Sequence, residues 1–231
     1  MVTRRSAELK IAGTWLAFVV AIVLALPQPP DLVRVALGAI IGIVIISAGF
    51  WAAWRCRPLN PKIPHQRLTR AIYSVLAGAA LACVLLVTLV ALAHVTPALR
   101  TRFTGRADEP AWRPWALAFE SSIIEEVVFR LFILSLTAFI VSRLVKCGVA
   151  PFALAWIVST LLFALAHLPQ WLSLTAPSPA LIASVVVLNG AGGLLFGWIF
   201  WRWGLPYAIL CHAAGDVIIQ TFAPKLLSLR S

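Results

Sequence analysis

The chain has 231 residues, 61% of them hydrophobic and only 12% charged, with a formal net charge of +11. Soluble globular chains average about 25% charged residues, so that class is excluded and one membrane domain spanning residues 1–231 is expected. The basic excess would suit nucleic acid, but Lys and Arg lie mostly in short segments between apolar runs. That pattern fits membrane topology and anionic headgroups instead, and nucleic acid is not expected as a partner.

A helix needs roughly 20 apolar residues to cross a bilayer, and seven runs come close. In chain order they are Ile11–Leu26, Val35–Trp54, Ala71–Val95, Trp115–Val141, Pro151–Leu168, Ala180–Trp201 and Leu205–Phe222. The start resembles a signal peptide, with Arg4 and Arg5 as its basic end, but further spans follow and it reads as an uncleaved first helix. Pro27 to Pro30, Pro58 to Pro64 and Thr175 to Pro179 mark turns. Trp51, Trp54, Trp112, Trp115, Trp171, Trp201 and Trp203 sit near span ends, as interfacial anchors do. Gly193 and Gly197 form a GxxxG pair suited to close helix packing. Cys56, Cys83, Cys147 and Cys211 form no CxxC, so neither a disulfide framework nor a zinc knuckle is expected. The fold class is therefore all-α, a polytopic transmembrane helix bundle of about seven spans. Residues 1–114 are expected to hold the N-terminal spans, and residues 115–222 the core helices around a polar cavity.

The fourth run carries Glu125, Glu126 and Arg130. A charge in hydrocarbon costs several kcal/mol, about 2.5–3.5 on insertion scales, so these groups must pair, face water or act on a substrate. Glu126 and Arg130 are four apart and share a helix face. Glu125 points about 100° away and keeps an unpaired carboxylate. His167 ends the fifth run, and His212 and Asp216 lie four apart on one face of the seventh. Polar groups recurring on separate spans converge in bundle interiors.

A carboxylate with a histidine partner deprotonates water. The second histidine and Asp216 would then bind the oxygen that turns negative at a tetrahedral intermediate. That is acyl-bond hydrolysis without a covalent enzyme intermediate. Alternatively, Glu125, His167, His212 and Asp216 would ligate a divalent metal such as zinc that activates the water. No histidine is followed by Glu, so there is no HExxH helix, and no GxSxG elbow occurs. Ser121, one turn before Glu125, is placed to hydrogen-bond it. Asn189, in the sixth run, reads as a packing residue.

As a set, these motifs resemble a known family. Glu125-Glu126-Val127-Val128-Phe129-Arg130 is similar to the EExxxR motif of the CAAX-processing endopeptidase and bacteriocin-processing (CPBP, or Abi) intramembrane proteases. Phe163 to His167 looks like the family's FxxxH, and His212 to Asp216 like its HxxxN/D in the Asp form. The resemblance implies that Glu125 and His167 activate water and that His212 and Asp216 stabilise the oxyanion. It implies a structural role for Glu126, Arg130 and Phe163 in shaping the cavity. No cofactor is favoured; the glutamate-type mechanism needs no metal. In the prenyl-protein members the last position is Asn.

The expected substrate is a membrane-anchored or C-terminally tailed protein entering from the lipid bilayer. The Lys/Arg distribution favours an inside N-terminus. His167 then lies at the outer end of its span, and Glu125 about 15 Å in from the outer end of its own. The cavity would open outward, onto an exported or anchored precursor rather than a cytosolic prenylated protein, in a prokaryotic inner membrane. The rival readings are a proton-coupled transporter, for which no internal symmetry is found, and a non-catalytic binding or immunity protein.

Overall fold

The computed structural model describes residues 13–14, 32–56, 66–104, 106, 109–145, 149–173 and 176–228. All the regular structure among them is helical. The elements are α1 (Leu32–Arg55), α2 (Arg67–Leu92), a short α3 (Pro97–Thr104), α4 (Arg113–Leu144), α5 (Ala150–Ala166), a short α6 (Leu168–Leu172), α7 (Pro179–Trp203) and α8 (Leu205–Ser228). Six of the spans expected from the sequence are thereby present as helices long and apolar enough to cross a membrane. The first expected span, Ile11–Leu26, lies almost wholly outside the described residues. The protein is an integral, multi-pass membrane protein.

Helix ends follow local chemistry. Pro114 and Pro151 stand in the first turns of α4 and α5, where the missing N–H is no loss. Ser178 caps α7 by accepting the Leu181 amide at 3.1 Å, next to Pro179 in the first turn. Gly204 has φ 96°, a conformation glycine adopts without a Cβ clash, and it folds α8 back against α7.

Every long helix keeps apolar side chains exposed, such as Val44, Val87, Leu165 and Val187, the surface that hydrocarbon covers. The inner faces carry small residues at crossings. A Cβ on Gly78 of α2 would collide with the backbone oxygen of Cys211 on α8, and one on Gly49 of α1 would meet the Leu131 oxygen of α4 at 2.6 Å. Gly193 and Gly197 receive Thr160 and Trp156 of α5, and the Trp156 indole donates to the Leu194 oxygen at 3.0 Å. The GxxxG pair thus serves packing, as the sequence suggested. Cys56, Cys83 and Cys211 are free thiols.

The fourth span is the exception to regular winding. Its middle, Glu126–Leu134, is π-helical, a wide form common at functional sites. Serine hydroxyls add donors to the carbonyls of this stretch. Ser159 of α5 donates to the Phe129 oxygen at 2.7 Å, and Ser135 to the Arg130 oxygen at 3.3 Å. Short α3 lies across one end, burying Leu99 and Phe103. Phe103 meets Trp171 of α6 at 6.2 Å, and the Arg102 guanidinium covers that indole at 4.4 Å. The α2–α4 and α5–α7 connections are therefore at the same end of the bundle.

Candidate active site

Three helices bring the ionisable residues together. Glu125 comes from α4 at the start of the π-helical stretch, His167 from the junction of α5 and α6, and His212 and Asp216 from one face of α8. The His167 Nε2 lies 3.7 Å from Glu125 Oε1, and the His212 Nε2 lies 3.7 Å from Glu125 Oε2. Asp216 Oδ1 is also 3.7 Å from His212 Nε2. Glu125, His167 and Asp216 retain 24%, 21% and 26% side-chain exposure, against 4% for His212. The cluster is thus open on the Glu125–His167–Asp216 side and closed behind His212.

The other ring nitrogens are already engaged. His167 Nδ1 stands 2.8 Å from the Phe163 carbonyl. A carbonyl only accepts, so Nδ1 carries the hydrogen and Nε2 presents a lone pair in the neutral ring. His212 Nδ1 stands 3.0 Å from Glu126 Oε1. Glu126 also faces Arg130, with Nε at 3.3 Å from Oε2. Both members of that pair are fully buried, so the carboxylate is held as an acceptor and His212 donates from Nδ1.

Apolar rings wall the charges in. Phe196 of α7 stacks on His212 at 4.3 Å with an interplanar angle of 17°. Phe163 sets its edge or face against both histidines, at 4.8 Å and 5.8 Å. The Arg130 guanidinium sits 4.3 Å above Phe163, a cation–π contact that offsets part of its desolvation, and it also donates to the Gly193 oxygen at 3.4 Å.

Residues 107–218 match the family model described as type II CAAX prenyl endopeptidase Rce1-like. That match is consistent with the CPBP family of CAAX proteases. No curated protein and no solved structure matches it. The match supports a CAAX-type intramembrane endopeptidase in general terms, and that family acts on membrane-anchored prenylated substrates. All three motifs that carried the resemblance fall inside the matched residues.

At this site, some sequence readings need correction. Ser121 does not bond Glu125: its hydroxyl donates to Asp216 Oδ2 at 2.8 Å, because one helical turn carries it toward α8 rather than along α4. Glu126 does more than neutralise Arg130, since it also holds His212. Asn189 turns back to its own helix, donating to the Val185 oxygen at 2.8 Å. Two neighbours were not singled out from the sequence. Gln220 lies 3.5 Å from Asp216, and its position one turn beyond Asp216 was the available signal. Phe196 carried no signal at all.

The donor types here would suit a divalent metal. Yet the two histidines face different oxygens of Glu125, and among the described residues no group of three or more such side chains is placed to hold one ion. The chemistry below is derived from the protein's own groups.

Proposed function

We propose that this protein is an intramembrane endopeptidase that cuts an amide near the C-terminal tail of a membrane-anchored or tailed protein. The nucleophile is water activated between Glu125 and His167. The observation that carries the reading is the Glu125 carboxylate straddled by two histidine Nε2 atoms, each at 3.7 Å. That spacing is too long for a direct hydrogen bond and suits a bridging water.

In the reaction, the water oxygen attacks the scissile carbonyl carbon while Glu125 takes its proton and His167 Nε2 accepts its second hydrogen as a hydrogen bond. The carbonyl oxygen becomes an oxyanion. With Nδ1–H committed to Glu126, His212 donates from Nε2 only as the imidazolium. Glu125, Glu126 and Asp216 surround that ring and balance its charge. His212, with Asp216 beside it, forms the oxyanion-binding side. When the C–N bond breaks, Glu125 returns the proton to the leaving amine, giving a free carboxyl terminus and a released tail. No metal enters this scheme.

The test is cleavage of a lipid-anchored, C-terminally tailed reporter by protein reconstituted in liposomes. Glu125→Gln should abolish product and accumulate precursor while the protein still folds. Retained cleavage by that variant would refute the mechanism. Solute flux across the same liposomes, lost in Glu125→Gln without any cleavage by the parent, would favour a transporter.

A further inference from the structure

The two oxygens of Asp216 have different surroundings. Oδ1 faces His212 Nε2 at 3.7 Å. Oδ2 receives the Ser121 hydroxyl at 2.8 Å and the Gln220 amide at 3.5 Å. The Ser121 hydroxyl has one other acceptor in range, the Ala118 oxygen at the longer distance of 3.3 Å. Gln220 is itself held. Its Oε1 accepts from the Arg106 guanidinium at 3.4 Å, and Arg106 is anchored on Glu109 at 3.1 Å. Arginine has no acceptor, so this contact turns the Gln220 carbonyl outward and its NH2 toward Asp216. A chain of contacts thus runs from the loop before α4, through α8, to the edge of the site.

We propose that Ser121 and Gln220 form a clamp that decides which atom of residue 216 faces His212 on the oxyanion side, with Arg106 fixing the orientation of the glutamine. They are positioning residues, and the proposal rests on the peptidase reading above. The physical basis is that the clamp presents donors, so it draws an oxygen. With Asp at 216, the other oxygen is left toward His212, whose charge it balances. With Asn at 216, the amide oxygen would be drawn to the clamp and the NH2 would be the group presented. One arrangement therefore accepts both side chains and selects a single orientation of each. It also links the α3–α4 loop, outside the membrane core, to the geometry of bond cleavage.

The experiment is a double-mutant cycle in the reconstituted cleavage assay. Ser121→Ala should lower kcat about tenfold, the equivalent of one positioning hydrogen bond, and leave KM unchanged, while Ser121→Thr should restore it. Gln220→Glu keeps a partner for Arg106 but replaces the donor with an acceptor, and should lower kcat likewise. Combined with Asp216→Ala, neither substitution should cost anything further. Equal losses with and without the Asp216 carboxyl, or no loss from Ser121→Ala, would overturn the clamp. The melting temperatures of the same variants give a second cycle that needs no substrate: additive shifts for Ser121→Ala and Asp216→Ala would also overturn it. Glu125→Gln in the same assay separates the two ideas, because cleavage retained there defeats the mechanism, whereas cleavage lost there with Ser121→Ala unaffected defeats only the clamp.

Discussion

His212 Nδ1 lies 3.0 Å from Glu126 Oε1, and this contact makes the second glutamate of the motif part of the site. It commits one nitrogen of the ring and aims the other at Glu125 and Asp216. The same carboxylate neutralises Arg130, so a single side chain supports both the helix and the histidine.

Glu126→Gln should therefore be severe. It leaves the Arg130 charge buried without a counter-ion, which costs about 3–5 kcal/mol, and thermal unfolding in detergent should report the loss. Adding Arg130→Met should recover most of the stability, since buried pairs are often replaced by apolar groups without penalty. Cleavage should stay low in the double variant, because His212 has still lost its carboxylate. Equal recovery of stability and activity would refute the second role of Glu126.

His167→Gln and His212→Gln should separate the two sides of the site. Removing a general base partner or an oxyanion donor each costs about 10²–10³ in kcat. KM should change little in either case, as neither ring is assigned to substrate binding. Steady-state cleavage of the reporter over a range of substrate concentrations measures both constants.

Gly78 and Gly190 make a matched pair for packing. Gly78→Ala drives a methyl into the Cys211 backbone oxygen, whereas Gly190 has open space around its Cβ position. Gly78→Ala should force α2 away from α8 and lower the melting temperature sharply. Gly190→Ala should be neutral or raise stability by up to about 1 kcal/mol through helix propensity. Similar melting temperatures for the two variants would contradict the crossing described here.

Ser159→Ala should loosen the wide turn of α4. It deletes the donor to the Phe129 oxygen, a hydrogen bond worth about 0.5–1.5 kcal/mol. Amide hydrogen exchange should quicken around Glu126–Leu134 before it does elsewhere in α4. Uniform exchange along that helix would show that the serine does not hold the turn.

The sequence made much of this legible. Apolar runs and the prolines between them placed the six described spans, because in hydrocarbon a helix must satisfy its own backbone. The cost of intramembrane charge singled out Glu125, Glu126, Arg130, His167, His212 and Asp216, and the fold brings them into one place. The pairings were less readable. Four-residue spacing described Glu126–Arg130 correctly but also suggested Ser121–Glu125, where a contact to another helix won. Spacing along one helix says nothing about what the neighbouring helix offers. Nor did any residue pattern announce the π-helical stretch or the stacking of Phe196 on His212, both of which depend on how the helices meet.

The wide winding of Glu126–Leu134 has a consequence for chain length. Such a stretch accommodates its residues in fewer turns than an α-helix would, with both ends locked by Glu125 at the site and by Leu134 in the core. Deleting one residue there would let the segment relax into ordinary α-helix, which absorbs the missing residue but re-phases the side chains inside it against Glu125 and Glu126. Arg130 would leave its place over Phe163. This stretch should tolerate isosteric exchange but no indel, so the number of residues after the paired glutamates is as constrained as their identity.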